Sequence, residues 1–251
     1  MEIRLDGKAM LITGAGTGLG RATAIEAATS GAFVGVHYCH SEQGARMTLN
    51  SITETGGRAC LLQGDATKEA DVDRIFDEFL AATKGRLDVL VNNAGALVRR
   101  SSIEELDLET WNEVVAVNMT SAFLCTRRAI PIMKSQGYGV IINISSIAAA
   151  TGGAAGATHY AAAKGAINTF TMGLAKELAP LNIRVVAIMP GVIPTAFHEK
   201  YTPAEQMEKF QRAIPLRRFG HPEDIAAAVV YLASDRAEFI TNTFLNVSGG
   251  W

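Results

Sequence analysis

Seven short runs of apolar, largely β-branched residues recur along this chain, at 9–13, 33–38, 59–63, 87–92, 139–145, 183–189 and 243–247. Each is separated from the next by a longer amphipathic or alanine-rich stretch. Strands joined by helices of that length form parallel pairs, because a parallel crossover needs a dozen or more residues. The inner runs are apolar almost continuously rather than at alternate positions, so both faces of the sheet are expected to be covered by helices. The expected class is α/β, a doubly wound parallel sheet of about seven strands in three layers.

No linker rich in proline, glycine or serine interrupts the alternation, and 251 residues suit one domain over 1–251. Residues 191–215 break the pattern as an irregular, proline-punctuated insertion, which is expected to be a substrate lid. A formal net charge of −2 gives no basis for binding nucleic acid. The first residues lack a secretory or twin-arginine signal and no apolar run is long enough for a bilayer, so a cytoplasmic protein with no membrane partner is expected. Cys39, Cys60 and Cys125 are far apart and form no metal or disulfide pattern.

After the first run comes Thr13-Gly14-Ala15-Gly16-Thr17-Gly18-Leu19-Gly20, followed by a helical stretch. Glycines let the backbone turn sharply and approach a pyrophosphate, while the following helix offers unpaired N–H groups. A bare strand-to-helix turn can look the same. The strand before and the helix after favour the phosphate reading, and the missing Gly-Lys-Ser/Thr argues against a nucleoside-triphosphate loop. Gly64-Asp65-Ala66-Thr67 and Asn92-Asn93-Ala94-Gly95 close the third and fourth runs at the edge where open parallel sheets bind ligands. Either could be turn chemistry taken singly.

The fifth run ends in Ser145-Ser146, and Tyr160 and Lys164 follow four residues apart on a helical segment. That spacing puts the phenol and the ammonium on one helix face. Carbonyl reduction by hydride leaves an oxyanion that needs a proton, and alcohol oxidation needs that proton removed; one phenol serves both. A free tyrosine with pKa ~10 is about one part in a thousand ionised at neutral pH. Lowering that value by about three units takes roughly 4 kcal/mol, which Lys164 and a positively charged cofactor ring are expected to supply. A bare Tyr-x-x-x-Lys is also common as a buried ring beside a solvated lysine.

The order and approximate spacing of Thr13 to Gly20, Asn92 to Gly95, Asn118, Ser146, Tyr160-x-x-x-Lys164 and Pro190-Gly191 resemble the short-chain dehydrogenase/reductase family over essentially the whole chain. The resemblance implies a Rossmann-type fold. It implies Tyr160 as proton donor or acceptor, and Lys164 as binder of the nicotinamide ribose that lowers the tyrosine pKa. Ser146 would orient the substrate oxygen, and Asn118 would support a water in the relay. Implied cofactor residues are Gly14, Thr17, Gly18, Leu19 and Gly20 at the pyrophosphate, with Asp65 and Ala66 near adenine. Asn92, Ala94 and Gly95 would run along the ribose, and Pro190, Gly191, Ile193 and Thr195 beside the nicotinamide. A homotetramer is implied by the segments 154–166 and 103–133.

Several positions depart from the family's pattern. Tyr38 stands where a carboxylate would select the unphosphorylated cofactor, and Thr17 where phosphate-preferring relatives often carry arginine or lysine. With Tyr38 and His40 taken as adenosine-side residues, NADP(H) is the favoured cofactor and NAD(H) is accepted. His37, Cys39 and His40 have no partner at zinc-site spacing, so no metal is expected. His159 is read as a packing residue and Glu104-Glu105 as a solvated helix start. Thr241-Asn242 replaces the usual Thr-Gly, and Ser248 a common aspartate. The expected function is an NAD(P)(H)-dependent oxidoreductase of a carbonyl or secondary alcohol, with a sugar, polyol or small ketone as substrate. The alternatives are a 3-oxoacyl-carrier-protein reductase and, from another class, a non-catalytic dinucleotide sensor.

Overall fold

The computed structural model describes residues 3–251. The chain begins β1 (Ala9–Ile12), α1 (Gly18–Thr29), β2 (Phe33–Tyr38), α2 (Glu42–Glu54), β3 (Arg58–Gln63), α3 (Glu69–Thr83) and β4 (Val89–Asn92). It continues through α4 (Leu108–Val115), α5 (Ser121–Gln136), β5 (Gly139–Ile144), the single turn α6 (Ala148–Thr151), α7 (Thr158–Leu178) and β6 (Ile183–Pro190). The last elements are α8 (Ala196–Tyr201), α9 (Ala204–Ala213), α10 (Pro222–Ala233) and β7 (Phe244–Val247).

Each of the seven expected strands forms, and all pair in parallel in the order β3-β2-β1-β4-β5-β6-β7. The order reverses between β1 and β4, which is where such sheets open a crevice at their carboxyl edge. Alternate residues of one strand feed two cores, as a period of two requires. On β5, Val140, Ile142 and Ile144 join the core shared with α1 and α10, and Ile141 joins that shared with α3, α5 and α7. This double cover explains the near-continuous apolarity of the strands.

Buried polar side chains tie the layers together. Asn92 on β4 donates through Nδ2 to Asn143 Oδ1 on β5 (2.9 Å) and Thr126 Oγ1 on α5 (3.0 Å). Asn143 in turn donates to Thr171 Oγ1 on α7 (2.9 Å). Buried hydrogen bonds of this kind set how a helix sits on its sheet, since losing one partner costs ~1–3 kcal/mol; Asn92 Oδ1 alone in this network is left without a partner. The network ties β5, whose carboxyl end leads into Ser146, to α7, which carries Tyr160.

Residues 191–215 depart from the expected irregular insertion, because α8 and α9 occupy most of it. No residue of either helix is buried. Ala204, Met207, Phe210 and Ala213 recur three apart along α9 as one apolar stripe, and ion pairs one turn apart support it, Glu205–Lys209 at 2.7 Å and Glu208–Arg212 at 3.8 Å. Glu104 and Glu105 lie in a turn, not at a helix start; α4 begins after Asp107, whose carboxylate caps it by accepting from the Thr110 amide at 2.7 Å. Asn242 adopts φ 54°, a left-handed conformation that asparagine tolerates. The replacement of Thr-Gly by Thr241-Asn242 therefore keeps the turn before β7.

Gly35 in the middle of β2 makes room for the Phe79 ring of α3, since a Cβ there would sit 2.7 Å from Phe79 Cδ2. Gly35→Val should destabilise the protein by ~1–3 kcal/mol through overpacking, read from the midpoint of urea unfolding.

Candidate active site

The first strand delivers the glycine turn to the sheet's carboxyl edge, where contacts too close for any Cβ hold it. Gly14 (φ 65°) and Gly18 (φ 53°) adopt left-handed backbone that glycine alone enters freely. At Gly20 a Cβ would lie 2.3 Å from the Gly14 carbonyl oxygen, so α1 packs directly on the turn it follows. The β4 loop clamps the same turn. Asn93 Nδ2 donates to the carbonyls of Thr13 (2.8 Å) and Gly14 (3.2 Å), while Thr13 Oγ1 accepts from the amides of Asn93 and Ala94.

His37 supports the turn from below. Its Nδ1 accepts from the Gly14 amide at 3.1 Å and its Nε2 donates to the Gly64 carbonyl at 3.0 Å, so the partners define one neutral tautomer. Burial pushes its pKa down to about 4. The two bonds leave neither ring nitrogen free to serve as a ligand.

A cleft of about 530 Å³ opens beneath this turn. Of the residues singled out in the sequence, Gly14, Thr17, Gly18, Leu19, Ala94, Gly95, Ser146, Tyr160, Lys164, Pro190, Gly191, Ile193 and Thr195 line it. The start of α1 faces the cleft with no acidic residue in its first turn and no side-chain cap at Thr17, so its N–H groups are available to an anion. The left-handed glycines, the contact at Gly20 and this helix end suit a dinucleotide pyrophosphate.

The remaining expected cofactor residues do not line this cleft. Gly20 is buried behind the turn, and the Asn92 side chain is committed to the interlayer network, not to a ribose. Tyr38, His40, Asp65 and Ala66 stand at the ends of β2 and β3, outside the cleft lining. The Asp65 carboxylate accepts from the Thr67 amide (3.0 Å) and hydroxyl (2.7 Å). Tyr38 packs partly against the core.

Tyr160 and Lys164 share one face of α7, with Lys164 Nζ 5.7 Å from the centre of the Tyr160 ring. Lys164 is 3% exposed and donates to the Ile144 carbonyl at 2.8 Å, at the carboxyl end of β5. Asn118 sits in a π-helical turn, Ala116–Thr120, between α4 and α5; such single-turn π segments are frequent at functional sites. Asn118 Nδ2 donates to the carbonyls of Ala96 (2.7 Å) and Val114 (2.9 Å), leaving its buried Oδ1 without a partner. A Cβ at Gly95 would fall 2.7 Å from that Oδ1 and 3.0 Å from Lys164 Nζ, so the glycine keeps open the space that links them.

Burial pushes the Tyr160 phenol up to about 12, against the opposing pull of its hydrogen bond with Ser146, and pushes Lys164 down to about 8. Desolvation is the leading cause for both groups, and within the protein alone the phenol is held protonated.

Beyond the catalytic floor the cleft is walled by aromatic rings. Phe197 of α8 lies 5.6 Å from Tyr160, and Phe210 of α9 lies 5.3 Å from Trp251. Phe197, His198 and Phe210 lie in the segment read as lid; Tyr201 packs on Phe197 at 5.2 Å. Arg100, Thr151, Gln206 and Trp251, which no motif marks, also line the cleft. Two adjacent arginines after Asn92 to Gly95 were the only sequence cue to the first of them. His159 is buried, with Nε2 3.0 Å from the Arg99 carbonyl, as a packing residue.

A family described as enoyl-(acyl carrier protein) reductase matches residues 14–251. The chain is 39% identical over 249 residues to the uncharacterized oxidoreductase YgfF of Escherichia coli (strain K12), covering 96% of this chain and 98% of that one. Among solved structures it superposes on 3-ketoacyl-(acyl-carrier-protein) reductase from Brucella melitensis complexed with NADH, with TM-score 0.91, 36% identity and 98% of each chain covered. It also resembles a candidate 2-deoxy-d-gluconate 3-dehydrogenase from Agrobacterium tumefaciens with bound NADP, with TM-score 0.89, 36% identity, and 100% of this chain and 98% of that one covered.

The neutral His37 makes stability depend on acidity. Its pKa is depressed from an ordinary value of 6.5 to about 4, so between those values the unfolded chain binds a proton that the folded chain refuses. His198, also held at about 4, acts in the same sense. Unfolding free energy should fall as pH drops from 6.5 towards 4, by up to ~3 kcal/mol for His37. In His37→Gln that slope should be shallower by urea titration, with lower stability at neutral pH.

Proposed function

The chain belongs to the short-chain dehydrogenase/reductase family and is an NAD(P)(H)-dependent oxidoreductase of carbonyl and alcohol groups, and we propose that Tyr160 is its acid and base. The observation that carries this reading is that Tyr160 lines the cleft together with Ser146 and stands one helical turn from the buried Lys164, whose Nζ is 5.7 Å from the centre of its ring. Ser146 holds the substrate oxygen beside the phenol. When bound, the dinucleotide supplies or accepts the hydride. Gly14, Thr17, Gly18 and Leu19 cradle its pyrophosphate, Ala94 and Gly95 flank its ribose, and Pro190, Gly191, Ile193 and Thr195 border its nicotinamide.

The proton chemistry follows from burial. A phenol held at about 12 is ready to give its proton to the oxygen of a carbonyl being reduced. In the oxidative direction the phenolate must form, and positive charge from Lys164 together with the bound cofactor ring brings the phenol down. Asn118 Oδ1, unpartnered beside Lys164, suits a water that passes protons to and from the lysine.

Residues 1–251 are read as one catalytic unit with 191–215 as its lid. NADP(H) is favoured and NAD(H) accepted, because no carboxylate stands at Tyr38, Cys39, His40 or Ser41 to repel a 2′-phosphate. Among substrates, sugars, polyols and small ketones are one group and 3-oxoacyl thioesters the other, the latter supported by likeness to the Brucella melitensis reductase. A sensor would not need a lysine buried beside a phenol. Leu108, Trp111, Phe123 and Met172 on α4, α5 and α7 expose 72%, 37%, 41% and 38% of their surface, and their burial between copies supports a homotetramer. Among the described residues no helix is long and apolar enough to cross a membrane. Three unpaired cysteines support a cytoplasmic setting.

Tyr160→Phe should lower kcat for carbonyl reduction by ~100-fold or more while preserving the circular dichroism spectrum. Wild-type alcohol oxidation should rise with pH through the neutral range, Lys164→Met should move that rise upward, and kcat/KM should favour NADPH over NADH. Equal rates for wild type and Tyr160→Phe on every active substrate would refute the acid/base assignment. Light scattering should give four times the 26.7 kDa chain mass, falling on Phe123→Asp.

A further inference from the structure

Arg100 and Arg99 are adjacent, yet only one has a carboxylate. Val98 takes a left-handed turn (φ 65°), a conformation that strongly disfavours a β-branched residue. Beyond it, Arg99 pairs with Asp107 at the surface. Arg100 instead lines the cleft, half-buried, and pairs with no carboxylate among the described residues. Its Nη1 donates to the Ala155 carbonyl (2.8 Å), Nη2 to Thr202 Oγ1 (3.4 Å), and Nε to the carbonyl of Tyr201, the last residue of α8. A guanidinium has five N–H donors, so two remain, and every acceptor it has found is neutral.

The cleft offers no compensation. None of its lining residues is aspartate or glutamate; its other full cation, Lys164, is bound to Ile144 beneath Tyr160. His198 stays neutral, its pKa depressed to about 4 by burial first and by Arg100 second. Burial also lowers the Arg100 pKa, which marks a charge partly removed from water and not repaid. Phe197 packs on both Tyr160 and His198, His198 lies within reach of the Arg100 charge, and Phe210 and Trp251 pack on each other in the same cleft lining.

We propose that Arg100 is a specificity-determining residue that binds a carboxylate on the substrate, so that the enzyme acts on anionic carbonyl or alcohol compounds with an apolar body. The two free N–H groups suit a carboxylate oxygen pair, and the aromatic walls suit the body between anion and reacting oxygen. This rests on the reading of Tyr160 as the point of reaction. If Arg100 only tied α8 to the loop around Ala155, its removal would weaken charged and neutral ligands alike.

Trp251 in the cleft wall and Trp111 on α4 are the chain's two tryptophans, so ligand binding can be followed by fluorescence. With NADP⁺ bound, 3-phenylpropionate should bind at least about tenfold tighter than 3-phenylpropionamide, the range of a hydrogen bond to a charged group. Arg100→Gln should bring that ratio close to one, and Arg100→Lys should keep part of it. Likewise kcat/KM for benzoylformate should exceed that for its methyl ester in the wild type and lose that excess in Arg100→Gln. Equal affinity of acid and amide in the wild type, an unchanged preference in Arg100→Gln, or an equal loss for both ligands would each overturn the assignment. The methyl ester compared between wild type and Tyr160→Phe decides the catalytic reading separately.

Discussion

A lysine buried without a carboxylate governs this site. Lys164 enters a region where its charge is poorly solvated, anchored by the Ile144 carbonyl at the end of β5. Its neighbour Tyr160 enters the same environment as a neutral phenol, and burial favours leaving it neutral. Desolvation thus moves the two groups in opposite directions, lysine down to about 8 and tyrosine up to about 12, each towards its neutral form.

The sheet holds this pair in place. Parallel strands with right-handed crossovers send every strand end towards one edge, so loops far apart in sequence converge there. Convergence alone would be too loose. Close backbone contact among Gly14, Gly20 and Asn93, and the polar chain Asn92–Asn143–Thr171, set the nucleotide turn and the catalytic helix on the same frame. The π turn at Asn118 belongs to the same construction, since it aims a side chain inward from what would otherwise be one continuous helix.

Specificity is built from different material. The rim consists of α8, α9, the loop before α7 and Trp251, which meet through ring contacts and through Arg100 and not through a shared core. Segments of this kind can vary without disturbing the sheet. On the proposed reading, chemistry is thereby separated from recognition, with proton transfer assigned to the floor and the choice of substrate to the rim.

Much of this was legible in the residues. Strand positions followed from β-branched runs, and the catalytic pair from a four-residue spacing that a helix converts into one face, because both signals are local and periodic. The motif around Gly14 was equally readable, since only glycine fits its backbone. Tertiary structure decided the rest. Asn92, placed in sequence beside ribose-binding residues, turns into the interlayer network because its strand buries it. In the protein alone Tyr160 is pushed towards its protonated form, because desolvation depends on everything packed around a group and not only on its nearest charged neighbour. Arg100 was silent for the same reason: a charge acquires meaning from the partners it lacks, and those are known only once the chain has folded around it.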